Sequence, residues 1–547
     1  MSHHRFSLWE LFLLFSLLEP SCASENDTVV VTSSGPIKGK LLSVGSASVT
    51  AYLGIPYAEP PLGKLRFQKP QPHQPWSGVL EATSFGNSCQ QIKSENSGIP
   101  HADLLEVNTP LSEDCLFLNI WVPHPRPSTP APVLIWIHGG GFIVGTASLD
   151  VYNGADLAAT ENIIVASMNY RLGFWGFLFL PPAAPGNVGL WDQWLALKWM
   201  KENAAAFGGD PAQLTLLGQS AGAAAVGFHL LSPASQPLFA RAVLQSGAPN
   251  APWAWKEPDT ARENAVNVGR LLGCAQQNHT AVVICLQETD IQERVIPYIT
   301  RSSSLTIDGE FLKDKPQKLL ESGIFQMKPI LTGVTSDEGA LYALIVSLSA
   351  QGNNWTQTWE QSLSLINETL WRPIEGSAVK AIALKYSKDR HGAAWNQSTL
   401  AHYFRDYWFV CPLSEFAAQM AKSGNPVYIY IFNHRAFHSA WPKWAGAPHG
   451  AEVPYLFGTL ALLGTNQSYP ESEDALSRKV MHYWAEFARS GKPTGSTPDE
   501  VQWPLYNAAD QNFFYINTEV PSLKRLSPPQ HCDFLAEQFH TRHTNKS

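Results

Sequence analysis

Short, nearly unbroken apolar runs punctuate this chain. Val133-Leu-Ile-Trp-Ile137 is one, and Ile163 to Met168, Leu214 to Leu217, Ala242 to Gln245, Pro329 to Thr332 and Val427 to Phe432 read the same way. Runs this short that do not alternate with polar residues are expected of strands buried on both faces. Cys115-Leu-Phe-Leu-Asn-Ile-Trp-Val122 reads as a further strand, separated from Val133 by a Pro-rich loop from Pro123 to Pro132. Helical patterns lie between several of the strands, among them Leu190 to Phe207 and Ala221 to Leu231. Apolar strands alternating with helices predict an α/β fold, a mostly parallel central sheet with helices on both faces. No internal repeat, charge block or low-complexity linker divides the chain.

One strand-to-helix junction carries chemistry. Leu214-Thr-Leu-Leu runs straight into Gly218-Gln219-Ser220-Ala221-Gly222 and then into an Ala-rich helix. Gly-x-Ser-x-Gly between a buried strand and a helix is a nucleophile elbow: the turn lifts the central hydroxyl above the sheet, and the glycines leave room for the neighbouring strand and helix. Ala221 opens the helix, so its amide points at the space beside Ser220 and is an expected oxyanion donor. A second piece, His138-Gly139-Gly140-Gly141-Phe142, follows the strand ending at Ile137. Consecutive glycines let the amides of Gly140 and Gly141 approach a developing negative oxygen. No Lys with a following Ser or Thr supports a phosphate-binding reading of this loop.

These motifs, with Glu113-Asp-Cys-Leu-Phe-Leu-Asn119 between residues 100 and 120, resemble the type-B carboxylesterase and cholinesterase family. The resemblance runs from Tyr52-Leu-Gly-Ile-Pro-Tyr57 to Cys532. Ser167-Met-Asn-Tyr-Arg-Leu-Gly173, Ala184-Pro-Gly-Asn-Val-Gly-Leu190 and Leu244-Gln-Ser-Gly-Ala-Pro-Asn-Ala-Pro-Trp253 are most similar to its cholinesterase branch. It implies an α/β-hydrolase fold, with residues 24–547 as one catalytic domain, and hydrolysis of small carboxylic esters with no cofactor or metal. It also implies disulfides Cys89–Cys115, Cys274–Cys285 and Cys411–Cys532.

A serine hydroxyl needs a base to take its proton, and the base needs an acid to hold its tautomer. In this fold the acid and then the histidine follow the serine along the chain. Nine histidines follow residue 338. His449 stands in Ala447-Pro-His449-Gly450, a loop bounded by Pro and Gly, and matches the family's histidine motif. His434 and His438 are four apart, a spacing that suits metal ligands on a helix face, but no third ligand is near in sequence and they read as surface residues. The acid is expected just beyond a sheet strand, where Ser336-Asp337-Glu338-Gly339 offers two carboxylates. The residues alone do not separate them; the family's acid is the Glu before Gly, which selects Glu338.

The substrate pocket departs from the family. Counting back from Cys115, Leu105 stands where the choline-binding Trp is expected, Gln219 replaces the usual Glu before the nucleophile, and Ala451 replaces a Tyr two residues after the histidine. A quaternary ammonium is held by aromatic faces with carboxylates nearby, so these three changes weaken choline recognition and leave the hydrolytic residues intact. Trp253 and Tyr342 are candidate walls on the acyl side, and Trp441 matches a choline-side aromatic. The expectation is a cholinesterase-like esterase that is not choline-selective. The rivals are a true cholinesterase and an adhesion protein on the same fold; family members serving adhesion typically lose triad residues, and here all three are present.

Composition sets the compartment. The chain has 547 residues, a net charge of −8 and 44% hydrophobic residues. With an isoelectric point near 6.1, it lacks the basic surface that nucleic acid requires. His3, His4 and Arg5, the apolar stretch Leu8 to Leu18, and Ser21-Cys22-Ala23 read as a signal peptide over residues 1–23. That stretch is too short to span a bilayer, and no later one is long and apolar enough. Removing Cys22 leaves six cysteines, an even number that fits disulfides in an oxidising compartment. Sequons at Asn26, Asn278, Asn354, Asn367, Asn396 and Asn466 fit the same compartment. The expectation is a secreted glycoprotein, and a noncovalent homodimer is compatible with it.

Overall fold

The computed structural model describes residues 28–93, 98–275, 278–291, 296, 305–349, 358–370, 374–388, 397–464, 469–494, 501–519, 522–525 and 531–540. Its centre is an eleven-stranded sheet. In chain order the strands are β1 (Lys40–Val44), β2 (Ala47–Pro56), β3 (Phe117–His124), β4 (Ala131–Ile137), β5 (Ile164–Met168), β6 (Gly209–Gln219), β7 (Arg241–Gln245), β8 (Ile330–Thr335), β9 (Val427–Phe432), β10 (Asn512–Ile516) and β11 (Ser522–Arg525). Their spatial order is β11-β10-β9-β8-β7-β6-β4-β5-β3-β2-β1. From β5 across to β10 every neighbouring pair is parallel. The β1-β2-β3 end and the β10–β11 edge are antiparallel. The apolar runs therefore form the parallel centre, as their lack of alternation predicts.

Alternate side chains of those runs enter two separate cores. Val133, Ile135 and Ile137 of β4 pack with the helices Val188–Asn203 and Ala221–Leu231. Leu134 and Trp136 face the other way, onto Ala155–Glu161 and Glu471–Ser490. The same split divides Leu216 from Leu217 in β6 and Ile429 from Tyr430 in β9. Each large side chain fully buried this way contributes roughly 1.5–3 kcal/mol, which is why both faces must be covered. The helix expected from Leu190 to Phe207 runs from Val188 to Asn203 and tightens into a 3-10 turn, Ala204–Phe207, closed by Gly208 at φ 83°.

Three disulfides join Cys89 to Cys115, Cys274 to Cys285 and Cys411 to Cys532, the pairs the resemblance implies. Asn278 is exposed and caps the helix His279–Glu288 by accepting from the Thr280 amide, and Asn367 is exposed on Trp359–Thr369. The expected signal peptide over residues 1–23, Asn26, Asn354, Asn396 and Asn466 lie outside the described residues. No helix among the described residues is long and apolar enough to cross a membrane.

Candidate active site

Five segments meet beyond the carboxyl ends of the parallel strands, the edge where open α/β sheets place their ligands. They are the glycine loop after β4, the turn after β6, the end of β7, the turn after β8, and the long connection after β9 that carries His449.

Ser220 follows β6 without an intervening residue, at φ 58° and ψ −122°. An L-residue held there costs on the order of 1–3 kcal/mol and needs support from its surroundings. Two backbone bonds give it: the Ser220 amide donates to Gln245 O at 2.8 Å, and Ser220 O accepts from Ala224 N at 3.0 Å. The flanking glycines are steric necessities. A Cβ on Gly222 would sit 2.0 Å from Ile137 O, and one on Gly218 would sit 2.4 Å from the Gly222 backbone.

The glycine loop comes up beside this turn. A Cβ on Gly139 would lie 3.0 Å from Ser220 Cβ. Gly140 has φ 105°, and its carbonyl accepts from both Ile143 N and Val144 N at 3.0 Å. Among the described residues no group accepts a hydrogen bond from the amides of Gly140, Gly141 or Ala221. His138 is buried and stacked on Tyr170 with centroids 4.5 Å apart, and burial lowers its pKa to about 4.

The two neighbouring carboxylates have different partners. Glu338 is fully buried; its Oε1 accepts from Thr335 N at 2.7 Å, and its Oε2 lies 2.5 Å from His449 Nδ1. Asp337 instead accepts from Ala447 N at 3.0 Å and from Ser336 Oγ at 2.5 Å, while its own amide donates to Ala447 O at 3.1 Å. A carboxylate only accepts, so His449 donates its Nδ1 proton to Glu338, and Nε2 of the neutral ring is left as an acceptor. That acceptor is taken by Gln219, whose Nε2 lies 3.1 Å away. Among the described residues the Ser220 hydroxyl makes no hydrogen bond.

Rings wall one side of His449. Phe409 lies 4.6 Å from it and Tyr342 6.0 Å, centroid to centroid. Trp253 joins this wall, 6.1 Å from Phe409, with its indole N–H donated to Trp408 O at 2.9 Å. Burial, and then the charge of Glu338, raises the Tyr342 hydroxyl above its ordinary pKa, so it stays neutral. The other pocket candidates are not gathered with these. Leu105 ends a 3-10 turn, 57% exposed and outside every apolar cluster. Trp441 is half-buried, and among the described residues no ring packs on it. Ala451 is half-buried and packs against the apolar cluster that holds Leu134 and Trp136.

Sequence reasoning missed Phe409. Its signal was the aromatic run Tyr407-Trp-Phe409 just before Cys411, in a π-helical turn Arg405–Val410. Glu452 was also missed. It is fully buried, accepts from Gln245 Nε2 at 2.9 Å, and has a second oxygen with no hydrogen-bond partner among the described residues. Burial, then the charge of Glu338, raises its pKa to about 7. His434 is not on a helix; its Nε2 lies 2.6 Å from the buried Glu473. Among the described residues no group of three or more His, Cys, Asp or Glu is placed to hold a metal ion.

A parallel sheet carrying a strained serine at a strand-to-helix turn, opposite a buried His–Glu pair, defines an α/β hydrolase. The chain belongs to the carboxylesterase family, whose sequence profile matches residues 26–535. It is 41% identical to an acetylcholinesterase of Bungarus fasciatus over 546 residues, covering 96% of this chain and 89% of that protein. It is 40% identical to a cholinesterase of Mus musculus over 546 residues, covering 97% and 89%. The protein is accordingly a serine carboxylic ester hydrolase.

Proposed function

We propose that Ser220, His449 and Glu338 form the catalytic triad of an exported esterase that favours neutral carboxylic esters over choline esters. The observation that carries this reading is the 2.5 Å contact between Glu338 Oε2 and His449 Nδ1, both buried, beside a serine held at positive φ. Ser220 Oγ bonds to the ester carbonyl carbon as its proton passes to His449 Nε2, and the carbonyl electron pair moves onto oxygen. The amides of Gly140, Gly141 and Ala221 receive that oxyanion. Collapse breaks the bond to the alcohol oxygen, which takes the proton from His449 and leaves an acyl-Ser220. Water then repeats the sequence, giving its proton to His449 and releasing the acid. Glu338 stays ionised and stabilises the imidazolium.

Trp253, Tyr342 and Phe409 form the acyl wall in this reading. A second reading, efficient hydrolysis of choline esters, is favoured by the names of the two relatives. The deciding experiment is a panel of choline, aryl and aliphatic esters on purified protein and its Ser220→Ala variant. Loss of a triad nucleophile typically costs several powers of ten in turnover, and covalent labelling by organophosphates should vanish with it. Full activity in the variant would remove the assignment.

Export is inferred from the leader over residues 1–23, the paired cysteines and the sequons, with residues 24–547 as one catalytic domain and any homodimer noncovalent. Recovery of active protein from culture medium, with a mobility shift on enzymatic deglycosylation, tests it.

A further inference from the structure

We propose that Gln219 is a positioning residue: it occupies the accepting nitrogen of His449 in the resting enzyme and yields it to Ser220 when the alcohol group of a bound ester takes over its amide. This rests on the triad reading above. Three observations carry it. Gln219 Nε2 lies 3.1 Å from His449 Nε2, the lone pair that must take the serine proton. The Ser220 hydroxyl is not hydrogen-bonded to that nitrogen. The Gln219 side chain is boxed in, at 6% exposure, with its Oε1 over Gly139 and its Nε2 beside Gly450.

One lone pair cannot serve two donors, so the Gln219 and Ser220 bonds exclude each other. A buried amide N–H that loses its acceptor costs more than an exposed one, and Gln219 therefore has to find a new partner as Ser220 engages. A bound substrate can supply it. An ester whose alcohol group carries an ether, hydroxyl or second carbonyl oxygen offers that partner, and a purely hydrocarbon alcohol does not. Such esters are the class this pocket selects.

The same contact bears on the proton transfer. A donor on Nε2 holds the lone pair that has to take the Ser220 proton, so replacing that donor changes how readily the ring accepts it. The other titratable groups facing His449 are Glu338 on Nδ1, Glu452 on the following turn and the neutral Tyr342 from the helix after Glu338. Asp337 holds the loop at Ala447. None of these is altered by replacing Gln219.

The test measures kcat/KM against pH for the parent, Gln219→Met, which keeps the shape without the donor, and Gln219→Glu, which places an anion there. Two isosteric substrates are compared, butyl butyrate and 2-methoxyethyl butyrate. The expected acid-limb pKa rises in the order parent, Met, Glu. The parent prefers the methoxyethyl ester by about two- to tenfold, the equilibrium worth of one neutral hydrogen bond, and Gln219→Met abolishes that preference while hydrolysing butyl butyrate faster. Should the methionine variant fail to fold, the parent and Gln219→Glu decide through their acid limbs. An unchanged acid limb and an unchanged ester ratio would overturn the proposal. An active Ser220→Ala variant would instead overturn the triad on which it rests.

Discussion

Asp337 and Glu338 are neighbours in sequence and serve the same loop in two different ways: Glu338 binds the ring of His449, and Asp337 binds the backbone two residues before it, at Ala447. Gly446 passes so close to Asp337 that a Cβ there would lie 2.0 Å from Asp337 Oδ2. Asp337 is thus a clamp on the histidine loop rather than a competitor for the ring.

The two carboxylates should separate on mutation. Glu338→Gln keeps the size but loses the charge that stabilises the imidazolium, and its amide favours the wrong tautomer. Turnover should fall by about 10⁴. Asp337→Asn keeps an acceptor for Ala447 N and should cost less than about tenfold. Steady-state kinetics at pH 7 check the ranking, and the reverse order would pass the acid role to Asp337.

Gly140→Ala tests the oxyanion loop. Its φ of 105° is poorly tolerated by an L-residue, and the added methyl would meet Val144 O at 2.0 Å. The loop must open, withdrawing the amides of Gly140 and Gly141. The expected loss in kcat is about 10² to 10³, with KM changing far less. Near-parental kcat would show that those amides do not receive the oxyanion.

Glu452 gives the fold a pH dependence. Its pKa is raised from 4.5 to about 7, by burial first and by the charge of Glu338 second. A raised carboxyl pKa means the neutral form is favoured in the fold. The associated stability is therefore fully present below pH 4.5 and lost as pH rises through about 7. The upper bound on this loss is on the order of 3 kcal/mol. Glu452→Gln keeps a side-chain acceptor for Gln245 Nε2 and does not ionise. Melting curves between pH 5 and pH 8 should show the parent losing stability relative to the variant, and parallel profiles would contradict the account.

What the sequence made legible was what is local in the chain. The strand, strained turn and helix around Ser220 occupy consecutive residues, and the glycine loop follows its strand directly, so spacing alone reveals both. The centre of the sheet was legible because burial on both faces leaves few polar positions, and those are isolated ones such as Ser167, Thr215 and Thr332. The hairpin β1–β2 was not: β1 alternates between exposed and half-buried positions at the edge of the sheet and carries Lys40 and Ser43. Phe409 meets His449 across 40 residues of chain, through helix and loop packing that no periodicity encodes. The Gln219–His449 contact depends on where Asp337 holds the loop, a tertiary fact. Leu105 was placed in the pocket by counting from Cys115, whereas its exposure depends on how the whole loop from Cys89 to Cys115 lies.

Any oligomers of the protein should be noncovalent. The six cysteines after residue 23 pair within the chain. Non-reducing gels of freshly purified protein should show a monomer band alone. A dimer band that disappears on reduction would require one of the three pairs to be open.

Choline selectivity is the sharpest test of the pocket. Binding a quaternary ammonium through a ring face is worth on the order of 1–2 kcal/mol when the cation is desolvated, roughly five- to thirtyfold in affinity. Leucine gives apolar contact without a ring quadrupole, and Leu105 is 57% exposed. Gln219 is uncharged, and its amide is engaged by His449. Ala451 brings no ring, and Trp441 stands apart from the aromatic wall of Trp253, Tyr342 and Phe409. Phe409 packs on both Trp253 and Tyr342, and Phe409 and Tyr342 pack on His449. The pocket thus offers apolar surface without an assembled cage, and a cation should gain nothing over its neutral isostere. The comparison is butyrylcholine against 3,3-dimethylbutyl butyrate, in which carbon replaces nitrogen at equal shape. In the parent the ratio of kcat/KM should lie near or below one. Leu105→Trp should raise that ratio by severalfold while leaving the neutral ester unchanged, because Ser220, His449, Glu338 and the glycine loop are untouched. A parent ratio above about thirty, with no gain from tryptophan, would mean that a ring already meets the cation and that this enzyme hydrolyses choline esters by selection.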